Sequence, residues 1–128
     1  MVPTALVVDQ NTDTGGKLAY WLTTLGLPAT VVRSSDEAAQ SLRVSTAPSL
    51  VVVSNELPDM ERFAHLRHVD PVLSHVALMV IVGQEAREPD PRLDPTYVIS
   101  NAPESPDFIL AVTALRDGNS WFDQQPIH

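Results

Sequence analysis

The sequence has no cysteine and few basic residues, and both absences narrow what the protein can do. Without cysteine, disulfides, thiolate nucleophiles and cysteine-ligated zinc sites are excluded, which is typical of a reducing compartment. Eight lysines and arginines are scattered among sixteen acids, and the formal net charge of −8 leaves no basic patch for nucleic acid or an anionic membrane. No apolar run approaches ~18 residues, and no secretion signal follows Met1. We therefore expect a cytoplasmic protein that binds neither nucleic acid nor membrane.

What the chain does contain is enough apolar sequence for one folded domain. Hydrophobic residues make up 44% of its 128 positions and charged residues 19%, which are values typical of globular domains. We predict that residues 1–117 form this domain. Residues 118–128 have the composition of a linker or tail, and we expect them to lead towards an output domain.

The central feature of the sequence is the stretch SLVVVSNELPDM at residues 49–60. Four consecutive aliphatic residues, Leu50–Val53, are typical of a strand buried on both faces of a parallel sheet. Pro58 lacks an N–H for the ladder, so the strand should end near Asn55. In open α/β sheets the carboxyl ends of central strands face the ligand crevice, so the residues that follow this strand are candidate site residues.

Strand and helix patterns alternate along the rest of the chain. Other short apolar runs predict strands at residues 5–8, 29–32, 76–82 and 97–99. Helical periodicity predicts a helix after the strands at 5–8, 29–32 and 50–53, and a last helix over residues 107–116. Three prolines between residues 84 and 95 favour a loop or one short turn there instead of a helix. Pro28 suits an edge strand. The predicted fold is a doubly wound, five-stranded parallel α/β sheet of order 2-1-3-4-5, with its fourth helix short or missing.

Two motifs resemble the receiver domain of bacterial response regulators, the CheY-like family. They are LVVD at residues 6–9, and LVVV at residues 50–53 followed by LPDM at residues 57–60; the likeness covers residues 5–116. The resemblance implies an aspartate after the third strand that accepts a phosphoryl group, and acids after the first strand that help it to hold Mg²⁺. It also implies a Ser or Thr after the fourth strand and a Lys after the fifth, both of which bind the phosphoryl oxygens.

The sequence departs from that pattern at most of these positions. Asp9 keeps the first acid, but Gln10 stands where the family has a second acid, and Ser54 stands where it has the phosphoacceptor aspartate. Val82 replaces the hydroxyl residue, and Ser100 replaces the lysine. A serine hydroxyl is a poor nucleophile without a base, and one firm carboxylate is a poor site for Mg²⁺, although a nearby glutamate could add a second. We predict a degenerate phosphorylation pocket, without catalytic residue, cofactor or metal, formed by Asp9, Gln10, Ser54, Glu56, Val82 and Ser100.

The fifth strand and the last helix predict an interaction surface. Ile109 and Leu110 fall outside the helix face that can cover the sheet, and Tyr97 and Ile99 lie on the neighbouring strand. In receivers the corresponding face is where dimers and effectors dock. We therefore expect a protein partner or a homodimer at this surface; a more deeply buried helix is the alternative.

Together these features predict a pseudo-receiver of bacterial two-component signalling that is not an enzyme. It would regulate a partner or an output domain, such as a transcriptional one, by protein interaction or dimerisation and without phosphorylation. One alternative is a small-ligand sensor that uses a neutral polar ring at the strand ends, formed by Gln10, Ser54, Asn55, Ser100 and Asn101. Another is an enzyme of flavodoxin-like architecture, which would need a base or cofactor loop that the sequence does not show.

Overall fold

Strands and helices alternate in the order expected from the apolar patterns. A computed structural model describes residues 3–44, 47–83, 88–100 and 104–117. Its elements are β1 (Ala5–Val8), α1 (Thr12–Thr24), β2 (Ala29–Val32), α2 (Ser35–Val44), β3 (Leu50–Ser54), α3 (Met60–Val69), β4 (Ala77–Val82), a 3₁₀ turn (Pro91–Leu93), β5 (Tyr97–Ser100) and α4 (Pro106–Arg116). None of these helices is both long and apolar enough to cross a lipid bilayer, as far as the described residues go.

The five strands form one parallel sheet of order β2-β1-β3-β4-β5, which confirms the predicted topology. β3 lies at the centre, and Leu50–Val53 are buried on both faces, as their unbroken aliphatic run predicts. β2 is an edge strand, in agreement with the expectation from Pro28. The carboxyl ends of all five strands therefore meet along one edge of the sheet.

Two hydrophobic layers cover the sheet. On one face α2 and α3 pack around Phe63, and on the other α1 and α4 pack around Phe108. Successive residues of a strand alternate between these layers, so that Val8 and Val53 face α2 and α3 whereas Val7 faces α1 and α4. Any residue at the end of a strand is directed to one layer or the other by this alternation.

The helix ends carry the capping residues that the sequence indicates. The side chain of Asn11 accepts the backbone N–H groups of Asp13 and Thr14 at the start of α1. Gly26 follows α1 with a φ of +97°, a conformation that glycine adopts without steric cost. Ser105 caps α4 by accepting the N–H of Asp107.

The connection between β4 and β5 has no α-helix over its described residues, 88–96. A single 3₁₀ turn at Pro91–Leu93 takes that place, in agreement with the short or missing fourth helix that the prolines predict. Leu93 is fully buried against the α2 and α3 layer. Asp94 ends the turn in the left-handed region, with a φ of 43°. The described part of this connection is therefore packed onto the domain through Leu93.

Candidate functional site at the carboxyl edge of the sheet

Strand register brings Asp9 and Ser54 into one row. Val8 lies beside Val53, so Asp9 follows β1 at the level of Ser54, and Ser54 in turn lies beside Ile81 of β4. The position predicted for the family's hydroxyl, Val82, is one residue beyond this row and lies beside Ser100 of β5. Val82 thus lies next to the row that contains Asp9 and Ser54, and not in it. Ile81 occupies the row, and it is also aliphatic.

Asp9 is a buried acid with half of its carboxylate unsatisfied. It is only 5% exposed, and its Oδ1 accepts the N–H of Asn11 at 3.0 Å. Its Oδ2 is buried and has no hydrogen-bond partner among the residues that the structure describes. Burial raises the pKa of Asp9, the Asn11 N–H opposes this rise, and the nearby Glu56 carboxylate adds to it. Asp9 thus serves as the helix-proximal acceptor of a backbone N–H, but at an electrostatic cost.

Gly15 explains how α1 comes so close to this acid. A Cβ at position 15 would lie 3.3 Å from the Cβ of Asp9 and 3.1 Å from Cγ1 of Val31. A side chain at this position would therefore be tightly packed, and its neighbours would have to shift by a few tenths of an ångström. The tight packing of α1 over the strand end is what removes Asp9 from water.

The Ser54 hydroxyl is engaged in a local turn. Its Oγ accepts the N–H of Glu56 at 3.2 Å, and the N–H of Asn55 continues the sheet ladder to the carbonyl of Ile81 at 2.9 Å. Among the hydrogen bonds of the described residues, this hydroxyl donates none to a histidine or lysine that could act as a base. Ser54 therefore stabilises the turn after β3, as short hydroxyl side chains commonly do.

The donor set does not match a receiver-type magnesium site. Gln10 and Ser100 are exposed and neutral, and the carboxylate of Glu56 lies beside the end of β4, so close that a Cβ at Gly83 would be 2.9 Å from its Oε1. Within the described ranges no three His, Cys, Asp or Glu side chains group together around a common point. Asp9 and Glu56 are a pair of mutually repelling acids, without the second acid that the family has next to Asp9.

A cleft of roughly 630 Å³ opens beside this row, between the turn after β3 and the 3₁₀ turn. Four of the residues that line the cleft are acids. The lining residues are Asn55, Glu56, Leu57, Pro58, Met60, Glu61, Glu88, Pro89, Asp90 and Pro91. Of the neutral ring predicted for a ligand sensor, only Asn55 lines this cleft. Asn101 lies outside the described residues. The described cleft is thus an acidic surface beside the strand ends, and it leaves the predicted neutral ring untested.

The predicted interaction surface is partly wrong. Tyr97 and Ile99 are buried in the α1 and α4 layer, and Ile109 is half buried against it. Only Leu110 is exposed, at 51%, and Val98, which the prediction passed over, is exposed to the same extent. The reason is the alternation of β5, in which Tyr97 and Ile99 face α4 while Val98 and Ser100 face away from it.

The LPDM motif has a structural role that the sequence reasoning missed. Asp59 accepts the backbone N–H of Ser35 on its Oδ2 at 3.0 Å, and its carbonyl accepts the Ser35 hydroxyl at 3.3 Å. It thereby ties the start of α2 to the start of α3. The pair of Arg62 and Asp36, 2.6 Å apart, joins the same two helices at the surface. A capping acid from a distant turn has no local sequence signal.

The overall structure is similar to solved receiver domains, although the sequence identity to them is low. No protein-family model matches the chain, and neither does any curated protein. A response regulator receiver protein from Pseudomonas putida is 17% identical, with a TM-score of 0.69 over 88% of this chain and 95% of that one. A receiver domain protein from Clostridium thermocellum is 15% identical, with a TM-score of 0.68 over 91% and 96%.

A third similar structure belongs to a protein with another domain. The signal receiver domain of an HD domain-containing protein from Pseudomonas fluorescens Pf-5 is 18% identical, with a TM-score of 0.70 over 92% of this chain and 96% of that one. Identities this low carry information on the fold alone. With its sheet order and helix layers, this chain has the fold of response-regulator receiver domains.

Proposed function

We propose that the protein is a pseudo-receiver: a receiver-like signalling module that works by protein interaction and is not phosphorylated. The observation that carries the proposal is the state of Ser54. It lies level with Asp9, where a receiver has its phosphoacceptor. Its hydroxyl oxygen accepts the N–H of Glu56, and no base is hydrogen-bonded to it in the described structure. The structural similarity to receivers supports the signalling role.

The residues around Ser54 also lack the side chains that bind a phosphoryl group in receivers. In receivers, a hydroxyl after the fourth strand hydrogen-bonds to the phosphoryl group and thereby shifts the protein between two conformations. Ile81, which lies beside Ser54, has no hydrogen-bonding group. The neutral Ser100 stands where the family has a lysine cation. Any conformational shift must therefore come from a partner that binds one conformation more tightly than the other.

The surface we propose for that partner lies around β5 and α4. Val98 and Leu110 are both half exposed, on the strand and on the helix, and β5 is an edge strand of the sheet. Val98 faces away from α4 and Leu110 lies on that helix, so each is a separate exposed apolar side chain that a partner at this edge could contact. In this proposal the domain acts in the cytoplasm on an output domain or on a second copy of itself, and transcription control is one such output.

The direct test of the proposal is exposure of the wild-type protein to acetyl phosphate and Mg²⁺, with intact-mass detection. We expect no added phosphoryl mass, because Ser54 has neither the charge nor the base that the transfer requires. Beryllofluoride should likewise leave the backbone chemical shifts of residues 54–56 unchanged. A phosphoryl adduct on Ser54 would contradict the proposal.

The interaction surface can be tested by placing a charge at its centre. We expect the wild-type protein to form a concentration-dependent dimer, and Leu110→Asp to weaken it by roughly tenfold or more, because a buried unpaired carboxylate is costly at an interface. The matched control is Tyr20→Asp, which alters an apolar side chain that is 70% exposed on α1. Light scattering after size exclusion would measure the effect. A wild-type monomer at every concentration would exclude the homodimer, and equal effects of the two substitutions would place the interface elsewhere.

A further inference from the structure

Arg67 is a buried cation on α3. Its side chain is only 6% exposed, although arginine is almost never buried unless it is paired. It belongs to none of the ion pairs formed by the described residues. Burial lowers the pKa of its guanidinium, and the charge of Asp94 partly opposes this. A cation held in this way must be compensated by other polar groups.

Four backbone carbonyls provide that compensation. The Nε of Arg67 donates to the carbonyl of Leu93 at 2.8 Å, and Nη2 donates to that of Asp94 at 3.1 Å. Nη1 donates to the carbonyls of Leu73 and Val76, the latter at 2.7 Å. Hydrogen bonds to a charged donor are roughly twice as strong as neutral ones. The guanidinium therefore joins α3 to two separate stretches of backbone.

One of those stretches is the connection between β4 and β5, at the 3₁₀ turn. Apart from Arg67, the turn has two backbone–backbone hydrogen bonds, from Leu93 to Asp90 at 3.0 Å and from Asp94 to Pro91 at 3.3 Å. The N–H of Arg92 also donates to Oδ1 of Asp90 at 2.9 Å, and an exposed ion pair of 3.5 Å joins Arg92 to Glu61 of α3. Asp94 is the one non-glycine residue in the described ranges with a positive φ, a conformation that costs energy and persists only where its surroundings hold it. The guanidinium binds the carbonyl of that same residue.

The connection is also part of the cleft beside β3. Asp90 and Pro91 line the cleft, so the position of the 3₁₀ turn determines its width. On the strand side, Thr96 anchors the connection through its N–H to the carbonyl of Leu78 at 2.8 Å and through its Oγ1, which accepts the Leu78 N–H at 3.1 Å. On the other side of the turn, Arg67 is the side chain that binds the backbone carbonyls of Leu93 and Asp94.

We propose that Arg67 is a latch that holds residues 90–94 in one position against α3. When the latch is released, these residues move away from α3 and the cleft wall moves with them, while the sheet remains folded. The latch binds carbonyl oxygens, so it depends on the conformation of the turn and on none of its side chains. It is independent of whether Ser54 accepts a phosphoryl group.

Backbone amide hydrogen exchange of an Arg67→Lys variant tests the latch. Lysine retains the charge, but its single ammonium cannot bind carbonyls in the spread arrangement that the guanidinium reaches. We expect the amides of Leu93, Asp94 and Thr96 to exchange roughly tenfold faster relative to that of Val52 in β3 than they do in the wild type. The matched control is Arg62→Lys, on the same helix but at an exposed ion pair with Asp36, and it should leave this ratio unchanged.

Two outcomes would overturn the latch. Equal acceleration at the connection and at Val52 would show that Arg67 supports the whole domain, and no acceleration would show that it holds nothing. If Arg67→Lys does not fold, the wild type provides the test through its Arg67 side-chain Nε–H. We expect this group to exchange at the rate of the Leu93 amide and more slowly than the exposed Nε–H of Arg62. Exchange of the Arg67 Nε–H as fast as that of Arg62 would refute the latch.

Discussion

A variant that carries Gln10→Asp, Ser54→Asp, Ile81→Thr and Ser100→Lys is expected to take up a phosphoryl group that the wild-type chain does not accept. The fold already aligns Asp9, residue 54 and residue 81 in one row. The substitutions add the two acids, the hydroxyl and the cation that phosphoryl transfer in receivers uses to hold Mg²⁺ and to neutralise charge. Intact-mass analysis with acetyl phosphate and Mg²⁺ would show a change from no adduct to a substantial modified fraction.

The control for this variant tests the strand register. A second variant has Val82→Thr in place of Ile81→Thr, with the other three substitutions kept. Its hydroxyl lies level with Ser100 and one residue past the row, so we expect its adduct to form more slowly. Equal labelling of the two variants would argue against the register assignment. No labelling of either would mean that the carboxyl edge has lost the geometry of a receiver as well as its charges.

The Asp9→Asn variant is expected to be more stable than the wild type at neutral pH, by about 1 kcal/mol. In the wild type the carboxylate of Asp9 is buried, lies near Glu56 and has its Oδ2 without a partner. An asparagine removes this charge, while its carbonyl oxygen can still accept the N–H of Asn11. Denaturant unfolding at several pH values, with a chelator present, measures the difference in free energy of unfolding.

The pH dependence of that difference has a definite sign. Burial and Glu56 raise the pKa of Asp9 in the folded protein above its usual value of 3.8. The folded state therefore retains a proton that the unfolded chain has lost, and the cost of the charge develops as the pH rises from 3.8 through the folded pKa. Below 3.8 the carboxyl is neutral in both states. The advantage of Asp9→Asn should thus be small in acid and constant at neutral pH.

An exposed acid at the start of α1 serves as the control for Asp9. Asp13 is exposed in the first turn of α1, where a negative charge interacts favourably with the helix dipole. Asp13→Asn should therefore leave stability unchanged or lower it by ~0.5 kcal/mol. A loss of stability in Asp9→Asn at neutral pH would show that the acid is compensated by a contact that the described structure does not contain.

The strands and most helix ends follow from the local sequence. The unbroken aliphatic run of β3, Asn11 before α1, and Gly26 after it each act through neighbours in the chain, so periodicity and capping preferences predict them. The absence of an α-helix from residues 88–96 follows in the same way from proline chemistry. Alternation of strands and helices then limits the sheet to few topologies.

The contacts across the domain could not be read in this way. Pairing of Ser54 with Ile81, burial of Tyr97 and Ile99, and the exposure of Val98 depend on which strand lies beside which and on the layer that each residue faces. The carbonyls bound by Arg67 are up to 27 positions away from it in the chain. Composition, the apolar pattern of each strand and the residue types that follow the strands are properties of the sequence itself. The unpaired oxygen of Asp9 and the latch at Arg67 exist because packing removes water from groups that are distant in the sequence.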